Sequence, residues 1–255
     1  MRYVKLLIEY DGTNYQGWQT QRSGRTVQDI LKKTILNITG EDVRLTGASR
    51  TDAGVHAIGQ VAVFETETKL PPDIITRAMN AKLPEDIRIL SAEDTERDFH
   101  PRYHALKKSY FYIIAGKTRR SAFLSGYIWN VKAGLDIDRM REGASCLSGQ
   151  HDFRSFRASG CGSKTTVRNI FSIDITELEK INFMTVDMNG DFIKIHIEGD
   201  AFLRHMVRNI VGTLVEIGKG KMPPEKMKDI LEACDRKLAG PTAPAKGLFL
   251  EKISF

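Results

Sequence analysis

Cysteine is scarce in this chain of 255 residues: Cys146, Cys161 and Cys234 are widely spaced, and no Cys-x-x-Cys pair occurs. That argues against a disulfide framework and against a zinc site, and it fits a reducing, cytoplasmic compartment. Long apolar runs are missing too; none approaches the roughly 20 residues that a membrane span needs. The opening segment, residues 1–8, is too short and too alternating for a signal peptide, and Asp11-Gly12 ends it. No cluster of Asp or His stands at metal-ligand spacing, so no metal is expected and a metal-dependent phosphoesterase is disfavoured. His56 has no second His or Cys beside it at such a spacing.

What is present is a packable core, with 41% hydrophobic residues, and an uneven charge. The net charge is +6, but residues 101–170 alone hold 13 Lys and Arg against 4 Asp and Glu, a local +9. The remainder is therefore close to neutral. The basic segment includes Lys107, Lys108, Lys117, Arg119, Arg120, Arg154, Arg157, Lys164 and Arg168, interleaved with Tyr103, Tyr110, Phe111, Tyr112, Phe153 and Phe156. A polyanion such as RNA is the natural partner, with a solvated basic face as the alternative.

The first half reads as strand 2–10, helix 27–38, strand 43–46, a loop, strand 60–65, helix 73–83 and strand 87–93. Thr26 and Asp29 form a capping box, and Pro71-Pro72 opens the second helix. This β-α-β-β-α-β order suggests a ferredoxin-like antiparallel sheet with helices on one face. The second half reads as strand 108–115, helix 137–147, strands 165–178, 183–188 and 192–198, a long helix 202–218, a short helix 224–234 and a closing strand 248–253. The fold class is thus α+β, in two RRM-like halves, with domains 1–105 and 106–255.

The loop Gly47–Ala57 holds a single carboxylate, Asp52, at the tip of a strand-loop-strand unit. Without a second acid nearby, it suits a nucleophile better than an acid/base pair. Judged by spacing alone, an Asp beside Gly and Ser is more often a turn residue. On the long helix, Leu203, Met206, Val207, Ile210, Val211 and Leu214 share one face, with Arg204 and Arg208 a turn apart at its edge. Either arginine could pack its stem and keep its head in water, or offer a fork to a carboxylate; spacing does not choose. Tyr110 and Tyr112 alternate on a strand and share a face. His151-Asp152 reads as a local hydrogen-bonded pair or an RNA contact.

The octet Arg50-Thr51-Asp52-Ala53-Gly54-Val55-His56-Ala57 resembles the signature of the TruA family of tRNA pseudouridine synthases. Further blocks follow in order: Tyr10-Asp11-Gly12 with Tyr15-Gln16-Gly17-Trp18-Gln19, Thr26-Val27-Gln28, Lys108-Ser109-Tyr110-Phe111-Tyr112, Gly149-Gln150-His151-Asp152-Phe153, Phe202 to Gly212, and Ala245-Lys246-Gly247-Leu248. The resemblance implies two α+β halves with a cleft between them and isomerisation of uridine at tRNA positions 38, 39 and 40 in the anticodon arm. It implies Asp52 as nucleophile, Arg208 as its basic partner and Tyr110 as the active-site tyrosine. It also implies that Arg50 displaces the target nucleotide, that Leu248 lines the pocket, and that the protein is a homodimer without a cofactor. Three routes are open to the carboxylate: attack at C6 of the base, attack at C1′ of the ribose, or deprotonation at C2′. The competing reading is a non-catalytic RNA-binding protein built on two RRM-like sheets.

Overall fold

The computed structural model describes residues 1–116 and 121–255, an α+β chain with five helices. It forms two compact units: Met1–Lys108 together with Phe249–Phe255, and Ser109–Leu248.

In the first unit, β1 (Arg2–Tyr10) alternates strictly, burying Val4, Leu6, Ile8 and Tyr10. Period-2 alternation of this kind places one face on a core and leaves the other half exposed. Helix α1 (Val27–Thr39) buries Val27, Leu31 and Ile35 at four-residue intervals. Thr26 caps it: its hydroxyl accepts from Asp29 N and donates to the Asp29 carboxylate, a variant of the capping box in which the acid takes the cap's hydroxyl instead of its backbone N–H. A short β2 (Leu45–Gly47) leads through the Asp52 loop into β3 (His56–Thr66), followed by α2 (Pro72–Asn80) and β4 (Ile87–Thr95). Pro72 sits in the first turn of α2, where a missing N–H is harmless. The strand order is β4-β1-β3, with β2 antiparallel on β3. Val4 stands opposite Phe64 and Leu6 opposite Ala62, while β4 lies antiparallel on the other side of β1. The chain's closing strand, Leu248–Ser254, adds to the other half of the same β3 edge in parallel, with Phe249 opposite His56.

The second unit contains most of β5 (Lys107–Ala115), then β6 (Trp129–Asn130), α3 (Ile137–Ser145), β7 (Gly149–Asp152), β8 (Val167–Phe183), β9 (Val186–Gly199), α4 (Met206–Gly218) and α5 (Lys226–Ala233). The order β5-β9-β8-β7 forms its sheet. Two sequence expectations fail here, for physical reasons. The separate strand expected over 183–188 does not exist: β8 and β9 form one long antiparallel hairpin that turns at Met184-Thr185, both at positive φ. That turn lacks the Asn-Gly signal usual for it. The Asn189-Gly190 pair that carries the signal sits inside β9, where the register shifts between Leu178 and Lys180 and makes a bulge. The helix expected from Phe202 begins at Met206, because His205 adopts a left-handed conformation at φ 63°. Arg204 therefore lies in a turn before α4 and shares no helix face with Arg208.

Candidate active site

The Asp52 loop is fixed along its backbone by neighbours that are themselves buried. Ala48 N donates to Val61 O (2.8 Å), and the Lys108 ammonium, almost fully buried, donates to Ala48 O (2.8 Å). Gln60, at 0% exposure, brackets Ser49: its Nε2 donates to Ser49 O (2.8 Å) and its Oε1 accepts from Ser49 N (3.2 Å). The Thr51 hydroxyl meets Tyr10 Oη at 2.7 Å. Asp52 O accepts from Val55 N (3.1 Å), closing a four-residue turn in which Gly54 takes φ +75°. A turn with positive φ at its third position favours glycine there. The turn reading of Asp52 is thus correct for its backbone, and the same turn leaves the side chain half-buried at the loop tip.

A second loop, Tyr15–Trp18, presses on the first. Trp18 N donates to Thr51 O (3.1 Å) and Gly54 N donates to Tyr15 O (3.2 Å). Gly17 permits this approach: it holds φ +92°, and a Cβ there would lie 2.6 Å from Thr51 O. The loop is held in turn by the start of α1, since Val27 N and Gln28 N donate to Gly17 O and Trp18 O. First-turn N–H groups of a helix have no partner inside it, and here they bind the loop that braces Asp52. The Tyr15 hydroxyl donates to the Asp86 carboxylate and accepts from Arg25 Nη2 (3.0 Å). Burial, then Asp86, pushes the Tyr15 pKa well above its ordinary value, so it stays a donor.

His56 is a core residue. Its ring stacks on Phe249 with centroids 4.6 Å apart, and Nδ1 lies 3.1 Å from both Asp11 Oδ1 and Gly12 N. Arg50 is exposed.

The remaining candidates belong to the second unit. Tyr110 is buried and meets Phe202 edge-on at 5.1 Å. Arg208 sits on the first turn of α4, with Nε donating to Ala243 O (2.8 Å) and its own carbonyl accepting from Ala243 N (3.1 Å). Tyr112, on the face it shares with Tyr110, donates to Pro244 O (2.7 Å). Burial raises the Tyr112 pKa, while the nearby Arg208 cation pulls the other way. Residues 243–244 are therefore tied to both β5 and α4, a few positions before buried Leu248.

The basic segment divides once its surroundings are known. Lys108 is structural, as are Phe153 and Phe156, which are fully buried; of the interleaved aromatics named above most are core, and Tyr103 is well exposed, at 74%. Lys117, Arg119 and Arg120 lie outside the described residues. His151 and Asp152 take separate partners: His151 Nε2 meets Ser148 O at 2.9 Å, and Asp152 caps the following 3-10 turn Phe153–Phe156 and pairs with Arg154. The sequence carries no signal for Gln60 or for the bracing role of Lys108; only a buried polar side chain in the fold reveals them. Among the described residues, no group of three or more His, Cys, Asp or Glu is placed to hold a metal ion, and no helix is long and apolar enough to cross a membrane.

A family model described as tRNA pseudouridine synthase matches residues 6–104 and 144–255. These spans contain Asp52 and Arg208; Tyr110 falls between them. The chain is 46% identical over 255 residues to tRNA pseudouridine synthase A of Thermoanaerobacter sp. (strain X514), covering 100% of both chains. It is 42% identical over 252 residues to the same-named protein of Thermodesulfovibrio yellowstonii, covering 99% of each. With that of Geobacter sulfurreducens, identity is 41% over 255 residues and coverage is again 100% of both. The chain belongs to the tRNA pseudouridine synthase family.

Proposed function

We propose that this protein is an isomerase that converts uridine to pseudouridine in tRNA, at positions 38, 39 and 40 of the anticodon arm, with Asp52 as the nucleophile. The N1–C1′ bond breaks, the uracil turns, C5 joins C1′, and the proton from C5 is replaced by one at N1. Substrate and product have the same atoms, so the balance calls for no cofactor. The observation that carries this reading is the Asp52 loop: one carboxylate at the tip of a turn whose backbone is held by Gln60, Lys108, Trp18 and Tyr15. A nucleophile that must meet one atom of a flipped base benefits from such fixed geometry.

Arg208 serves as the basic partner of Asp52, and its hydrogen bond to Ala243 O supports a fixed guanidinium in that role. Tyr110 stacks on the uracil and serves in proton transfer. Arg50, exposed beside Asp52, takes the place of the displaced nucleotide, and Leu248 lines the pocket. We divide the labour between domains 1–105, with the aspartate loop, and 106–255, with the basic segment and long helix. The order β4-β1-β3 with β2 on β3 supports a ferredoxin-like first half. The protein acts as a homodimer in the cytoplasm.

The experiment is incubation with tRNA carrying tritium at uracil C5. Pseudouridine formation releases the label to water; retention of the label with intact tRNA binding sinks the enzyme reading in favour of a binding protein. Light scattering at micromolar concentration tests the dimer.

A further inference from the structure

Within the second unit, a concavity of about 500 Å³ is lined by four arginines. Arg154 belongs to the 3-10 turn Phe153–Phe156 and Arg157 follows it. Arg204 comes from the turn before α4, and Arg236 from the 3-10 turn after α5. Residues distant in sequence thus bring one charge to one place, and among the described residues no acidic side chain lines it. Arg154 is paired with Asp152 at 3.1 Å. Among the described residues, the side chains of Arg157 and Arg204 take no hydrogen-bond or carboxylate partner. Four like charges gathered with one carboxylate partner among them repel one another, so the arrangement favours an anion from outside.

The site is braced from beneath. Asn209, fully buried on α4, donates through Nδ2 to Phe156 O (2.7 Å) and accepts at Oδ1 from Thr242 Oγ1 (2.6 Å) and from Arg236 Nη2 (3.1 Å). Arg236 also reaches Thr242 Oγ1 and Ala239 O. Burial lowers the Arg236 pKa, as expected for a cation short of counter-charge. Ala158 N donates to Arg204 O (3.0 Å), which fixes the two arginine-bearing turns to each other.

A second concavity of about 530 Å³ shares Arg154 and Arg157, and is further lined by Asp152, Lys164, Thr165, Thr166 and Val167. A lone phosphate needs far less room than either. Two adjoining cationic hollows with shared arginines suit a strand that presents phosphates in succession. We propose that they form one docking track for the sugar-phosphate backbone of the tRNA, with consecutive phosphates on Arg236, Arg204 and Arg157 and the strand continuing past Lys164. This rests on the tRNA reading above, and adds a site for the substrate to which the aspartate loop contributes nothing. The amino end of α4 opens at the same place and adds partial positive charge.

The test is the double variant Arg157→Gln with Arg204→Gln, which leaves the Arg236 brace intact. Its control is Lys33→Gln with Lys69→Gln, which removes the same charge from outside the track. Binding of unmodified tRNA is measured across a salt series, and KM and kcat by tritium release. The expected result is a salt slope smaller by about 1.4 to 1.8 and affinity at least tenfold weaker at moderate salt for the double variant. The KM change should exceed the kcat change, and the control should keep most of the wild-type slope. An unchanged slope, or an equal loss in the control, overturns the track. So does competition by millimolar inorganic phosphate alone, which would make the hollow a small-anion site. Tritium release by the wild type separates the two ideas: no release sinks the enzyme reading, whereas release with an unchanged variant slope sinks only the track.

Discussion

The Asp52 loop and the arginine concavity are built on opposite principles. Around Asp52 the backbone is restrained by interior groups: a buried amide, a buried ammonium, and two loop carbonyls held by a helix start. Around Arg157 and Arg204 the protein fixes the walls and leaves the charged ends to find a partner. Bond-making tolerates little positional error, and a misplacement of about 1 Å can cost roughly 100-fold in rate. Phosphate binding is governed by how many charges are present and is screened by salt. One region should therefore fail when geometry changes and the other when charge changes.

The largest effect should come from Asp52→Asn, which keeps shape and removes the nucleophile. Tritium release should fall to background while tRNA affinity stays within about tenfold, or roughly 1.4 kcal/mol. Robust turnover by this variant would end the nucleophile assignment. Arg208→Leu should likewise abolish turnover at neutral pH. Arg208→Lys should keep a measurable trace, because a point charge survives without the fork and without the Nε bond to Ala243 O. Equal activity in both Arg208 variants would show that charge at this position is irrelevant.

These two predictions rest on residues that family resemblance singled out, since spacing alone reads Asp52 as a turn residue and does not choose between Arg204 and Arg208; local pattern made other features legible. The capping box at Thr26 and Asp29, the alternation of β1 and the Asp52 turn are short-range features, and short-range physics writes them into neighbouring residues. What the sequence hid depends on residues far apart. Lys108 looks like one more cation in a basic run, yet its ammonium is spent on Ala48 O. Phe153 and Phe156 are interleaved with the cations of the basic run, and they are core. Arg204 looks like the neighbour of Arg208 on one helix, and a single left-handed residue, His205, assigns it to a different surface. The β8-β9 hairpin turns at Met184-Thr185, while Asn189-Gly190, a usual turn pair, lies at a bulge inside β9, because the long pairing of the two strands sets the register.

An intermediate effect should follow from Gly17→Ala, which tests geometry without touching charge. The substitution forces an L side chain into φ +92° and places its Cβ 2.6 Å from Thr51 O. The strain should cost about 1–3 kcal/mol of stability, read as a lower denaturant midpoint. Displacement of the Asp52 loop should lower kcat by about 100-fold, with an unchanged salt slope for tRNA binding. A changed slope with normal kcat would invert the comparison. Its counterpart is Arg154→Glu with Arg157→Glu, which should weaken tRNA binding and flatten its salt dependence while sparing the denaturant midpoint. An unchanged slope would mean that this stretch faces away from RNA.

The smallest effect should come from Thr26→Ala, and it sharpens the comparison because Thr26 lies one step behind the geometry. The hydroxyl accepts from Asp29 N and donates to the Asp29 carboxylate, so its loss should destabilise α1 by about 0.5–2 kcal/mol. The N–H groups of Val27 and Gln28, which hold Gly17 O and Trp18 O, remain, since they are backbone. A helix that frays only at its cap still presents them most of the time. The expected outcome is a lower unfolding midpoint with kcat reduced no more than about threefold at 25 °C. The loss of kcat should grow as temperature approaches that midpoint, because fraying then releases the loop that braces Asp52. A large drop in kcat already at 25 °C would show that the cap itself, and not the backbone behind it, sets the position of the carboxylate.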